Sequence, residues 1–162
     1  MIIRIHSLFL LFALLWAGVT TAANSTALEK ARLSSEPMIL TTTAQGKNME
    51  EAVTALNQAI VNHNYTFVRQ QAIDSRLVPY AEEVRSVRLV YFCNFNKMDQ
   101  ALRLDPRATQ MLPCRVTLVE TPNGVDLIAV NPAWVSRDMP ALHAVCQELK
   151  QDYLAILDEA SI

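Results

Sequence analysis

The order of strand-like and helix-like segments in this chain is that of an α+β domain. Apolar residues recur at strand spacing over five short segments and at helical spacing over two long ones. These segments do not alternate as the strand-helix-strand units of a parallel sheet do. A further sign is the Pro-Asn-Gly step at 122–124, which folds two of the strand-like segments into a hairpin.

A chain of 162 residues with 51% hydrophobic and 19% charged residues can bury a core and is long enough for one domain. Three glycines and seven prolines exclude fibrous and low-complexity classes, and no repeat of solenoid period is present. The net charge is −2 and no run of Lys or Arg forms a stripe to neutralise phosphates, so nucleic acid is not expected as a partner.

Residues 1–23 carry one basic residue at Arg4, an apolar stretch from Leu8 to Val19 and a small-residue end from Thr20 to Ala23. This is the pattern of a secretory signal peptide cleaved after Ala22 or Ala23, because the apolar stretch falls short of the about 20 residues that a membrane span needs. The expected localisation is therefore exported and periplasmic, with anchoring by an uncleaved N-terminal segment as the alternative. No later segment could span a bilayer. Residues 24–36 are polar, small and without period, a flexible lead-in to a single domain over 37–162.

Pro37 opens that domain. "MILTTTA" (38–44) is a short β-branched strand, closed by a turn at Gln45, Gly46 and Lys47. From Asn48 to Asn64 the spacing is helical: Met49, Ala52, Val53, Leu56, Ala59 and Ile60 share a stripe, Asn48 is the N-cap, and Glu50 and Glu51 lie at the positive end of the dipole. Asn64 suits the left-handed residue that ends a helix, and "YTFVRQQAI" (65–73) returns to a period of two. Asp74 to Arg85 is unassigned. "VRLVYFC" (87–93) is the most apolar strand, fit for a buried position. Asn96, with Asp99 three positions on, caps a short helix at "KMDQALRL" (97–104), which Pro106 helps to end. "CRVTLVET" (114–121) and "VDLIAVNP" (125–132) are the hairpin strands, with left-handed dihedrals supplied by Asn123-Gly124. From about Arg137 a helix runs to the end, with Leu142, Cys146, Leu149, Tyr153 and Ile156 on one face.

Cys93 closes one apolar run and Cys114 opens the next. With Cys146 they make an odd count, so an oxidising compartment allows at most one internal bridge and leaves one thiol over. A parallel crossover between Cys93 and Cys114 would hold them at opposite edges, about 17–20 Å apart. An antiparallel return would bring both to one end, where Cα atoms can approach the roughly 4.4–6.8 Å of a disulfide. The residues alone leave both arrangements open.

The span from Leu89 to Val135 resembles the domain of unknown function 302 family. Members of that family typically show Cys or Gly followed by Asn-Pro after a strand, a short helix, a Leu-Pro step into a strand and a closing Asn-Pro after the hairpin. Those features correspond here to Cys93-Asn94, Leu112-Pro113-Cys114 and Asn131-Pro132, with Phe95 departing where many members have proline. The resemblance runs from about Pro37 to Leu157. It implies an antiparallel sheet of about five strands with helices on one face, similar in shape to the TATA-binding-protein half-fold, in the order β-α-β-β-(short α)-β-β-α. It also implies that the domain can pair as a homodimer. The antiparallel option puts Cys93 near Cys114, and a bridge there would close a loop of about 20 residues and stabilise the domain by roughly 3 kcal/mol. The family's biochemical role is unassigned, so the resemblance implies no activity.

Buried, unlinked thiols are the plain alternative to a Cys93–Cys114 bridge, and a thiolate nucleophile would need nearby cations such as Arg115 and Lys97. Met139, His143 and Cys146 fall on one helical stripe and could present a soft metal site, although one helix supplies too few ligands for a closed one. Glu50-Glu51 and Glu82-Glu83 are adjacent pairs that do not face each other on a helix, so they suggest no acid–base pair. His63 is explained by its place in the last turn of the first helix. No nucleotide loop, dinucleotide fingerprint, nucleophile elbow or haem-attachment motif is present, and no cofactor is identified. The expectation is an exported domain without catalytic machinery of its own. It would bind a small ligand or a protein partner where Cys93, Asn94, Pro113, Cys114 and Asn131 converge at strand ends. The alternative is a thiol-dependent redox, sulfur-carrier or metal-binding protein using Cys93 and Cys114.

Overall fold

The computed structural model describes residues 28, 31, 32, 34–73 and 87–162. The segment read as a signal peptide and the unassigned stretch from Asp74 to Arg85 lie outside the described residues. The chain divides into two units, Met1–Glu36 and Pro37–Ile162. In the first, Leu28, Ala31, Arg32 and Ser34 are helical and exposed.

The second unit runs β1 (Ile39–Gln45), α1 (Met49–Asn62), β2 (Thr66–Ala72), β3 (Val87–Cys93), α2 (Phe95–Leu104), a 3-10 turn (Pro106–Met111), β4 (Cys114–Thr121), β5 (Gly124–Val130), a one-turn helix α3 (Pro132–Val135) and the long α4 (His143–Ser161). The strands form one sheet in the order β1-β5-β4-β3-β2, and every neighbouring pair is antiparallel. The five-stranded α+β architecture expected from the sequence is therefore present.

Register divides the sheet into two faces. Leu40, Ala129, Val116 and Val90 stand opposite one another across four strands and are all buried. Over them lie Leu56 and Ile60 of α1 with Leu149, Ile156 and Leu157 of α4, in one continuous core. Burial of side chains of this size stabilises by about 1.5–3 kcal/mol each. One residue along, Thr41, Ile128, Thr117 and Leu89 make a row on the opposite face that is only half-buried or exposed. β2, at the edge, is exposed along its whole length. No helix among the described residues is long and apolar enough to cross a membrane.

The first helix starts as its sequence requires. Glu51 N–H donates to Asn48 Oδ1 (3.0 Å) and Asn48 N–H donates to Glu51 Oε2 (2.9 Å), a reciprocal capping box. Asn64 takes φ of 60°, and Tyr65 N–H donates to the Ile60 carbonyl (2.9 Å), so the chain leaves the helix directly into β2.

Three local expectations are corrected. α2 is capped by Asn94, whose Oδ1 accepts from Lys97 N–H (3.0 Å), rather than by Asn96. Phe95 then occupies the first helical position, where proline is also tolerated because that N–H has no partner within the helix. In the β4–β5 hairpin only Gly124 has positive φ, at 139°, and Asn123 does not. Pro122 fixes a negative φ at the first loop position and so excludes the mirror-image turn that Asn-Gly suggested. Finally, the helix expected from about Arg137 begins at His143, because Pro140 cannot extend a preceding turn. Ser136–Asp138 and Pro140–Leu142 form separate 3-10 turns instead.

Gly124 also lies against β1: a Cβ there would sit 2.2 Å from the Ala44 carbonyl oxygen. Gly124→Ala is expected to cost about 2 kcal/mol or more, from backbone strain and from forcing β1 away from the hairpin. Denaturant unfolding measures it, and a loss below half a kcal/mol would contradict this account.

Candidate functional site

The chain leaves the sheet at the end of β3 and returns at the start of β4, so Cys93 and Cys114 lie at the same end, as the antiparallel option requires. They are nevertheless not bridged: Cys93, Cys114 and Cys146 are all free and buried. The register gives the reason. Phe92, not Cys93, stands opposite Cys114, whereas Cys93 pairs with Thr66 on β2. Successive residues of a strand project to opposite faces, so this offset of one residue denies the sulfurs a facing geometry. The expected disulfide is thus overturned.

Beneath this end lies a cluster of rings and thiols. Phe92 meets Tyr65 edge-on and Tyr153 at a tilt, with centroids 5.5 Å apart in both pairs. Tyr65 hydroxyl donates to Asp152 Oδ2 (2.7 Å), and Lys97 Nζ donates to the same oxygen (2.5 Å). The phenol is thereby satisfied, and α2 is tied to α4. Burial pushes the Cys114 thiol up from 9.0 to about 11, against the opposing effect of its hydrogen bond with Tyr153, and it raises the Cys93 and Cys146 thiols as well. Lys97 is committed to Asp152, so it does not serve as the cation a thiolate nucleophile would need.

The polar candidates hold the backbone. Asn94 Nδ2 donates to the Asn64 carbonyl (3.2 Å) while its Oδ1 caps α2, which joins the two chain reversals at this end. Asn131, fully buried, donates from Nδ2 to the Pro37 carbonyl (2.8 Å) and accepts at Oδ1 from Ala133 N–H (3.0 Å). It pins the start of β1 and caps α3.

Pro113 has a different place. With Met111 and Leu112 it lines a cleft of about 220 Å³. The lining also includes Gln110, Tyr91 of β3, Arg115 of β4, Val130 at the end of β5, Pro132 and Val135 of α3, and Tyr153 of α4. Of the five ligand-binding candidates, then, Pro113 lines the cleft, Cys114 contacts its lining residue Tyr153, Asn94 and Asn131 hold the surrounding backbone, and Cys93 is buried in the core. The sequence reading misses Tyr91 and offers Arg115 only as a cation for a thiolate, although strand alternation already sets both on the face away from the core.

The Met139, His143 and Cys146 stripe is not gathered into a site. Cys146 lies in the core with its sulfur 3.6 Å from Met111 Sδ, and His143 Nε2 lies 3.3 Å from the Arg137 carbonyl oxygen. Among the described residues no group of three His, Cys, Asp or Glu is placed to hold a metal.

With the fold and the cleft described, the chain's relatives can be placed. The model of the family called domain of unknown function DUF302 matches residues 40–160, so the chain belongs to that family. Among solved structures it is similar to an uncharacterised conserved DUF302 protein from Bacillus stearothermophilus, with a TM-score of 0.69 and 16% sequence identity over 77% of this chain and 99% of that one. No curated protein matches the chain.

The thiols give a direct check on this geometry. Buried and raised in pKa, Cys93, Cys114 and Cys146 are expected to resist a thiol reagent in native protein at pH 8 and to react after unfolding, as mass spectrometry will show. The folded protein holds the Cys114 proton more tightly than the unfolded chain. This contribution to stability is therefore complete below pH 9 and is lost as the pH rises from 9 through about 11. Cys114→Ala should flatten that fall in Tm; rapid native labelling of Cys114 would show the burial to be wrong.

Proposed function

We propose that this protein binds a small ligand in the cleft at the end of the sheet and contributes no catalytic group of its own. One observation carries the reading: a concave, mainly apolar site is walled by strand ends and by two proline-bearing connections, with a few convergent polar groups. Its volume is below the roughly 300–1,000 Å³ of pockets for drug-sized molecules, which points to a ligand the size of a single ring or a short chain. The reading includes export, on the strength of the N-terminal pattern over residues 1–23.

Thiol-dependent redox or sulfur transfer through Cys93 and Cys114 is the weaker reading, because burial of both sulfurs opposes the thiolate such chemistry needs. Titration of labelled protein with benzoate and benzamide, followed by methyl and amide NMR, tests the cleft. Shifts are expected at Leu112, Val130 and Val135 and should disappear in Val135→Phe, which fills the space. Shifts confined to the β2 edge, where Phe67 and Val68 are exposed, would overturn the cleft in favour of a partner-binding strand.

A further inference from the structure

The charges beside the cleft narrow the chemistry of what it takes. Among the described residues Arg115 is the one charged group in the lining; it is exposed, and no hydrogen bond or ion pair to another described residue holds its guanidinium. Across the ladder its partner is Tyr91, which also lines the cleft. On the other side of Tyr91 stands Arg69, whose guanidinium carbon lies 4.5 Å from the ring centroid.

Arg69 reaches that position through an irregularity. The β2–β3 register shifts between Phe67 and Arg69, so that Phe67 faces Phe92 and Arg69 faces Tyr91, with Val68 passed over. In a regular ladder Val68 would face Tyr91. Bulges of this kind re-aim a side chain, and here the one re-aimed is a cation. Two arginines thus stand on either side of one tyrosine, on β2 and β4, although the chain as a whole has a net charge of −2, and no carboxylate is in the cleft lining among the described residues. An anion bound in the cleft is attracted by both positive charges. The apolar side of the same cleft, formed by Leu112, Val130 and Val135, has nothing to offer an ion.

We infer that the ligand is a small organic carboxylate with an apolar body. Arg115, with Tyr91 beside it, receives the carboxylate; Leu112, Val130 and Val135 enclose the body; Arg69 holds Tyr91 and adds positive potential. This inference rests on the cleft reading proposed above and adds the sign of the ligand's charge.

The test compares benzoate, benzamide and benzylammonium, which share a ring and differ in charge, by NMR titration of the full domain at low ionic strength. Benzoate is expected to bind roughly tenfold or more tightly than benzamide, the scale of one charge-assisted hydrogen bond, and benzylammonium more weakly still. The preference should shrink as salt is added and vanish in Arg115→Gln, while Arg69→Gln reduces it in part. Both arginines are exposed, and a well-dispersed spectrum shows that each variant has folded. Equal affinity for benzoate and benzamide, or an undiminished preference in Arg115→Gln, overturns the inference and leaves the cleft reading standing. If none of the three probes shifts the cleft resonances, the cleft reading itself falls, and the inference with it.

Discussion

The antiparallel pairing of β3 with β4, with Phe92 opposite Cys114, is the constraint from which the rest of this end of the molecule follows. It turns Phe92 into the core, where Tyr65 and Tyr153 close on it from two directions. It turns the neighbouring Tyr91 and Arg115 to the other face. It also obliges the chain between the two strands to go out and come back over one border, which is why α2, the 3-10 turn and the Leu112-Pro113 step overhang the sheet there. A slip of one residue would exchange the two faces: it would bring Arg115 toward the core and expose Phe92, a cost that fixes the register firmly.

The same alternation separates two chemistries that the sequence places side by side. The Cys114 thiol and the Tyr65 and Tyr153 phenols lie inside, where desolvation keeps them protonated and a shared carboxylate, Asp152, satisfies Tyr65 and Lys97. Guanidiniums stay outside, beside the cleft. The sulfurs that drew attention in the sequence therefore belong to packing. The cation one residue beyond Cys114, which the sequence offers only as support for a thiolate, lines the cleft instead.

Much of the fold was legible because its signals are local. The stripe from Met49 to Ile60, the cap at Asn48, the left-handed Asn64 and the five strand segments each rest on spacing or on one residue's dihedral preference. What escaped depended on neighbours or on competing local terms. Asn94 and Asn96 are both reasonable caps, and only the contact of Asn94 with the Asn64 carbonyl, 30 residues away, favours the earlier one. Asn123-Gly124 by itself favours a mirror-image turn, and the fixed negative φ of Pro122 beside it forbids one. The cysteine pairing was decided by a register offset of one residue, which no spacing between the cysteines reveals. The candidate site was half legible: the Leu112-Pro113-Cys114 step and Asn131-Pro132 supply Leu112, Pro113 and Pro132 to the cleft lining. The grouping of Tyr91 with Arg115 and the bulge-directed Arg69 becomes visible only when three strands are laid side by side.

The central claim is that this border is a receptor site formed by the outgoing and returning chain. The most direct measurement is a crystal structure of the protein soaked with 4-bromobenzoate, with the bromine located by its anomalous signal. The account predicts one bromine peak among Leu112, Val130 and Val135, with the carboxylate turned toward Arg115. A peak elsewhere on the sheet, or an empty cleft in crystals whose packing leaves it open, would contradict it.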